Sequence, residues 1–260
     1  MGAEPIRKQE IDNVIHLRFV NGKAVEKPKV RYNRDGSVDK RHPNKVAGVS
    51  SEVYPFTTQE EIKNMINAFD KHIEEANDEN KKMIARRNKM LFLIGINLGI
   101  RASDLCNLRY SFFYNKDGSF KNGYSLQPKK QKGKIVKLYF NDVVKKAIAD
   151  YLSEYPVQDM DEYLFKSRKG DGHITEITLG RIIKDVAEEI GIERSINSHS
   201  LRKTFGRFIW HNAKDKNKAL IILQTIFNHS NSAITSKYIG LTDDEVCDVF
   251  NELNLGNEFI

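Results

Sequence analysis

Two histidines, two arginines and a tyrosine stand at spacings that suit phosphoryl chemistry. In Asn197-Ser-His-Ser-Leu-Arg-Lys-Thr-Phe-Gly, His199 and Arg202 are three positions apart and so share one face of a helical turn. A guanidinium is a planar fork of donors matched to phosphate oxygens, and imidazole exchanges a proton near neutral pH. In Phe227-Asn-His-Ser-Asn-Ser-Ala-Ile-Thr-Ser-Lys-Tyr, His229 lies nine residues before Tyr238. A tyrosine hydroxyl is a candidate nucleophile toward phosphorus, giving a phosphotyrosine that stores the energy of the bond it replaces. Arg101, in Gly99-Ile-Arg-Ala-Ser-Asp-Leu, follows an apolar run at a glycine turn. A rigid core can aim such an arginine outward as a phosphate clamp, with Asp104 three residues on to orient it. Each fragment also has a plainer reading: a surface His–Arg pair, a half-buried aromatic with its hydroxyl in water, and a helix-end ion pair between Arg101 and Asp104.

The elements that must position these residues are mostly helical. Thr57 or Thr58, followed three positions later by Glu60 or Glu61, is a capping box opening a helix with Ile62, Met65, Ile66 and Phe69 on one face. A second helix, about 79–98, ends in the apolar run MLFLIGINLG, which calls for burial on most sides. Gly99 stops it, and Ser103 is placed to cap a short helix carrying Leu105 and Leu108. Asp117-Gly118, Asn122-Gly123 and the alternating, Lys-tipped LQPKKQKGKIVKLYF form the best β signal in the chain. Helices then recur at about 141–154, 177–190, 200–212 and 216–227. A last one, 243–253, opens at Thr242…Glu245 and places Val246, Val249, Phe250 and Leu253 on one face. The expected fold class is mainly α with a small antiparallel sheet, α+β.

Residues 1–56 read differently, as a basic N-terminal arm with 11 Lys/Arg against 7 Asp/Glu. Ile15, Leu17 and Phe19 alternate with polar residues up to Asn21-Gly22, a dipeptide suited to a type I′ hairpin turn. From Arg34 to Ser51 the composition is that of a basic loop. The expected division is therefore 1–56 and 57–260.

Composition narrows the class. A chain of 260 residues with 40% hydrophobic and 10% aromatic residues can bury a proper core, which excludes wholesale disorder. The 42 Lys and Arg against 35 Asp and Glu leave a net charge of +7. That excess suits a polyanion such as nucleic acid, and it also suits an ordinary solvated surface. Cys106 and Cys247 stand far apart without histidines or cysteines at ligand spacing, so neither a disulfide scaffold nor a structural zinc or other metal site is expected. The longest apolar run, Met90 to Ile100, is too short to span a bilayer and no secretory h-region opens the chain. These features lead us to expect a soluble, cytoplasmic protein with no membrane partner.

The motifs occur in one order: Gly-x-Arg-x-Ser-Asp-Leu, a Lys-tipped hairpin, His-x-x-Arg, then His and Tyr nine apart. In this the sequence resembles the catalytic domain of the tyrosine recombinases, or phage-type integrases, over about residues 54–255; Leu164-Phe165 before Ser167-Arg168 also resembles the family's segment between hairpin and His-x-x-Arg. The resemblance implies an active site of Arg101, a hairpin lysine, His199, Arg202, His229 and the nucleophile Tyr238. The family usually carries Lys-Thr-Gly-Lys at the hairpin turn, where this chain has Lys129-Lys-Gln-Lys-Gly-Lys134. Ungapped, the catalytic position falls on Gln131; one inserted residue moves it to Lys130, the assignment we expect, with Lys132 next in line. Lys129, Lys134, Lys203 and Arg207 are expected to contact DNA phosphates. A second departure is the arm itself: 56 residues are too few for the helical core-binding domain that usually precedes the catalytic one. The arm resembles the start of the family's short members, with Glu4 to Arg7 in place, and is a candidate substitute for holding DNA.

The resemblance further implies a site-specific recombinase or integrase acting on double-stranded DNA through a 3′-phosphotyrosine, with no metal, ATP or other cofactor. It implies a bacterial or phage mobile-element setting, and a homo-oligomer, a tetramer at synapsis, docked through the C-terminal helix; packing of that helix within its own subunit is the alternative. A type IB-like topoisomerase and a catalytically silent DNA-binding relative are the competing outcomes.

Overall fold

The computed structural model describes residues 17–20, 23–26, 53–129, 133–168 and 170–239. The chain divides into two compact units, Met1–Ser51 and Glu52–Ile260. In the first, β1 (Leu17–Val20) and β2 (Lys23–Glu26) pair antiparallel, from Leu17↔Glu26 to Val20↔Lys23. That register leaves Asn21-Gly22 between the strands, where the hairpin is expected.

The second unit is built from helices α1 (Gln59–Glu74), α2 (Glu79–Leu98), α3 (Ala102–Cys106), α4 (Asp142–Glu154), α5 (Glu176–Glu189), α6 (Ser198–Asn212), α7 (Lys216–Phe227) and α8 (Ser232–Ile239), with one hairpin, β3 (Gly123–Leu126) and β4 (Val136–Tyr139). Its ends are set by local chemistry. Thr58 Oγ1 accepts from Glu61 N–H at the start of α1, while the Glu61 carboxylate reaches back to Thr57 N–H at 2.7 Å. The same carboxylate pairs with Arg194, whose guanidinium also donates to Pro55 O, tying the entry of α1 to the connection before α6. Phe56 is fully buried, so the residues just ahead of α1 belong to this core.

The apolar end of α2 is the centre of the unit. Met90, Leu91, Phe92, Ile94 and Leu98 are all buried, and α2 packs against α1, α4 and α6. Gly95 lets α6 come close: a Cβ there would lie 2.5 Å from Leu201 Cδ1. Gly99 caps α2 in the left-handed conformation, φ 59°, and a Cβ there would lie 2.2 Å from Phe205 Cδ1. Gly99→Ala therefore meets two penalties, about 1–2 kcal/mol for left-handed backbone and about 1–3 kcal/mol for overpacking. Urea denaturation should show a loss of at least the first; an unchanged midpoint would contradict the geometry.

Helix α3 departs from expectation. Arg101 is its N-cap residue and Ser103 sits inside it, buried, with its hydroxyl unbonded among the described residues. The turn at Gly99 is so tight that Arg101 O already accepts from Asp104 and Leu105 N–H, so the helix begins before Ser103 can cap it. Leu108 falls beyond α3 yet is fully buried. The hairpin runs from Gly123↔Tyr139 to Leu126↔Val136, with Leu126 and Leu138 turned into the core. A second, smaller cluster, Leu223, Phe227 and Ile239 with Phe205, Ile209 and Trp210 against it, joins α6, α7 and α8. The expected C-terminal helix, 243–253, lies outside the described residues. No helix among the described residues is long and apolar enough to cross a membrane.

Candidate active site

The site is assembled where α2, α6, α7 and α8 end or meet. Asn197 caps α6, its side chain accepting from His199 N–H at 2.8 Å, while Ser200 Oγ accepts from Asn197 N–H. This fixes the first turn, in which His199 is exposed, and sends Arg202 inward to 4% exposure. Arg202 Nη1 donates to Gly99 O at 2.7 Å and Nη2 to Phe227 O at 2.9 Å. One guanidinium thus clips the end of α2 to the end of α7. Its carbon stands 4.2 Å from the Phe227 ring centroid and 5.6 Å from that of Tyr238. Arg202 Nε is buried without a hydrogen-bond partner among the described residues, a donor left over for an acceptor.

Charge is concentrated here. Burial, and then the neighbouring Arg101 cation, push Arg202 down to about 10; Tyr238 and Asp104 act in the opposite sense. Arg202 still carries its charge at neutral pH. Burial, followed by the charges of Arg202 and Arg101, pushes His229 down to about 4, so its ring is neutral at pH 7. The His229 ring lies 4.8 Å from that of Tyr238 and 5.3 Å from that of Phe227, and its Nδ1 is 3.0 Å from Thr235 Oγ1. Tyr238 is half-buried on α8.

The hairpin is held to this site at both ends of its tip. Buried Asp104 accepts from Lys129 N–H at 2.9 Å, and Lys134 Nζ donates to Asn228 Oδ1 at 3.2 Å. Asn228 caps α7 in the left-handed conformation, φ 53°, directly before His229. Lys130 and Lys132 lie outside the described residues.

Arg101, Asp104, Arg202, His229 and Tyr238 are thus brought into mutual influence, and His199 precedes Arg202 by one turn. Asp104 was expected to orient Arg101; its described hydrogen bond runs to the hairpin. Lys129 and Lys134 are exposed and Lys203 is half-buried. Arg207, expected at a DNA phosphate, is 5% exposed, as buried as Arg202. Sequence reasoning also missed Phe227, Asn228 and Thr235 as parts of the site. Their only signal is position, flanking His229 and one turn before Tyr238. No group of three or more potential metal-ligating residues occurs among the described residues.

Known proteins resemble this chain in sequence and in fold. Residues 55–245 match the phage integrase family. The chain is 35% identical over 170 residues to the probable integrase/recombinase YoeC of Bacillus subtilis, covering 64% of this chain and 86% of that protein. It is 29% identical over 157 residues to a tyrosine recombinase of Pseudothermotoga lettingae, covering 60% of this chain but only 50% of that protein. The crystal structure of XerA recombinase superposes with a TM-score of 0.56 at 21% identity, over 82% of this chain and 66% of that one. XerH recombinase bound to its difH substrate superposes with a TM-score of 0.53 at 17% identity, over 83% and 59%. At such identities these structures establish the fold, mostly helical with a small antiparallel sheet, and the family match covers the whole site. With Arg101, His229 and Tyr238 gathered around the clipped Arg202 guanidinium, the chain belongs to the phage integrase family and carries the catalytic domain of a tyrosine recombinase.

Proposed function

We propose that this protein cleaves and rejoins double-stranded DNA at specific sites through a 3′-phosphotyrosine on Tyr238. The observation that carries the reading is Arg202, a buried cation fixed by two backbone carbonyls beside the Tyr238 ring and near enough to Arg101 for the two like charges to repel. Positive charge so fixed costs no reorganisation when charge builds up on a phosphate in the transition state. Tyr238 Oη attacks phosphorus, the bond from phosphorus to the 5′-oxygen breaks, and the 5′-hydroxyl leaves. A 5′-hydroxyl from a partner strand then attacks the phosphotyrosine and releases Tyr238. His199 accepts the tyrosine proton and a hairpin lysine, Lys130 in our assignment, protonates the leaving oxygen. His229 donates a hydrogen bond to the phosphate.

The bond energy stays in the phosphotyrosine, so ATP is not required, and the two guanidinium groups supply the charge that metal ions supply in other phosphoryl transfers. We further propose that the basic residues of 1–56 help hold the DNA, and that residues 243–253 dock on a neighbouring subunit in a synaptic tetramer.

The test is covalent trapping. Protein is incubated in EDTA with fragmented DNA from its own source and a supercoiled plasmid, then quenched in SDS. Protein-linked 3′ ends are expected, and sequencing them gives the site. Ends recovered in pairs support recombination; scattered ends with plasmid relaxation would point to topoisomerase activity. Bound DNA without adducts would point to a silent binder. In the same assay Lys130→Ala should cut adduct formation by about 100-fold or more, the scale of a lost general acid, and Lys132→Ala by much less. The reverse order would move the assignment to Lys132.

A further inference from the structure

We infer that Thr235 is a positioning residue whose hydroxyl donates to His229 Nδ1 and thereby fixes the imidazole in the tautomer that carries its proton on Nε2. Functionally the inference rests on reading the site as a phosphodiester-transfer centre. The hydrogen bond itself is a structural matter that can be tested without that reading.

The first argument is what Thr235 does not do. A serine or threonine inside a helix ordinarily turns its hydroxyl back on the carbonyl four residues earlier. Thr204 does so to Ser200 O, Thr225 to Ile221 O, and Ser236, the next residue on α8, to Ser232 O. Thr235 instead meets His229 Nδ1 at 3.0 Å, with no exposed surface of its own. The side chain is buried one turn before Tyr238, on the helix that carries the nucleophile.

The second argument concerns the direction of the bond. If Nδ1 were the donor, the hydroxyl proton of Thr235 would be buried with no described acceptor, a defect costing about 1–3 kcal/mol. If the hydroxyl donates, both groups are satisfied. A neutral imidazole has one N–H, so an accepting Nδ1 places it on Nε2. The low pKa of His229, set by burial and the two arginines, agrees with a neutral ring that can give away only that one proton. The two ring nitrogens diverge, so a donor at Nε2 faces away from Thr235 and is free for a phosphate oxygen. In the other tautomer Nε2 would offer a lone pair to an anion, which repels it.

The experiment uses the full chain and the DNA ends recovered by trapping. Thr235→Val keeps the branched shape and removes the hydroxyl; Thr235→Ser keeps the hydroxyl. Thr235→Val should slow phosphotyrosine formation by about 10- to 100-fold, the range seen when the outer partner of a ligating histidine is lost. Thr235→Ser should restore most of the rate. On a His229→Ala background Thr235→Val should cost nothing further, because its effect passes through the missing ring. An equal loss on both backgrounds, or a wild-type rate for Thr235→Val, overturns the inference. Nitrogen NMR of labelled histidine, assigned with His229→Gln, should show Nδ1 unprotonated in the wild type and a mixture of tautomers in Thr235→Val. A protonated Nδ1 in the wild type overturns it too, even if the wild type forms no adduct, an outcome that would sink the proposed function alone.

Discussion

Tyr238→Phe is expected to remove all detectable protein–DNA adduct while leaving folding and DNA binding close to wild type. The ring is held by aromatic neighbours, with Phe227 and His229 at centroid distances of 5.4 and 4.8 Å, and phenylalanine retains those contacts. The hydroxyl makes no hydrogen bond among the described residues, so its removal leaves no partner unsatisfied, and the stability change should stay within about 0.5 kcal/mol. Only the nucleophilic oxygen is lost. Removing a covalent nucleophile costs on the order of 10⁶-fold where it has been measured, more than an SDS-trapping assay can follow. Labelled DNA, SDS gels and a gel-shift titration read the two quantities separately. Adduct formed at the wild-type rate would transfer the nucleophile to another residue and dissolve the roles assigned around it. Loss of DNA binding as well would mean that the hydroxyl also serves binding, and the missing adduct would then no longer identify it as the nucleophile.

The helical frame was legible because its signals are local. Thr58, Asp78, Asn141 and Asp215 each accept from a backbone N–H three residues on, and apolar residues recur at helical spacing behind them. The turn at Gly99, the Asn21-Gly22 hairpin and the β3–β4 hairpin were readable for the same local reason: glycine and Asn-Gly suit tight turns, and apolar alternation around a lysine-rich tip marks a strand pair. The motif residues were legible only as an ordered set, through the resemblance. What stayed hidden are bonds between side chains and distant backbone. The partners of Arg202, Gly99 O and Phe227 O, lie 103 and 25 positions away, and the bond from Lys129 N–H to Asp104 spans 25. No periodicity encodes such pairs. Arg207 shows the limit of residue type alone: arginines are mostly exposed, yet both Arg202 and Arg207 on this helix are buried. Ser103 shows the limit of cap rules, since a good cap residue does not cap when the preceding turn has already started the helix.

Arg202→Lys should lower the cleavage rate by about 10²–10³-fold or more, the cost of one lost donor to a developing oxyanion. A single ammonium cannot span two carbonyls on different helices while also keeping a donor for the phosphate, and it loses the flat stack on Phe227. The same change leaves a buried carbonyl unpaired, so unfolding stability should fall by about 1–3 kcal/mol. These two effects must be separated, because a weaker clip alone would reduce activity by reducing folded protein. The rate should therefore be expressed per folded molecule, well below the midpoint of thermal unfolding, beside Lys203→Ala as a neighbouring loss of charge on α6. If the rate per folded molecule is normal while stability drops, Arg202 is only a clip, and the charge on the phosphate must come from Arg101. If the rate falls as expected, the two roles are one. The carbonyls of Gly99 and Phe227 then hold the guanidinium so that its remaining donors meet the phosphate already oriented. A lysine's three donors all radiate from one nitrogen, so it cannot reach both carbonyls and still present an oriented donor to the phosphate.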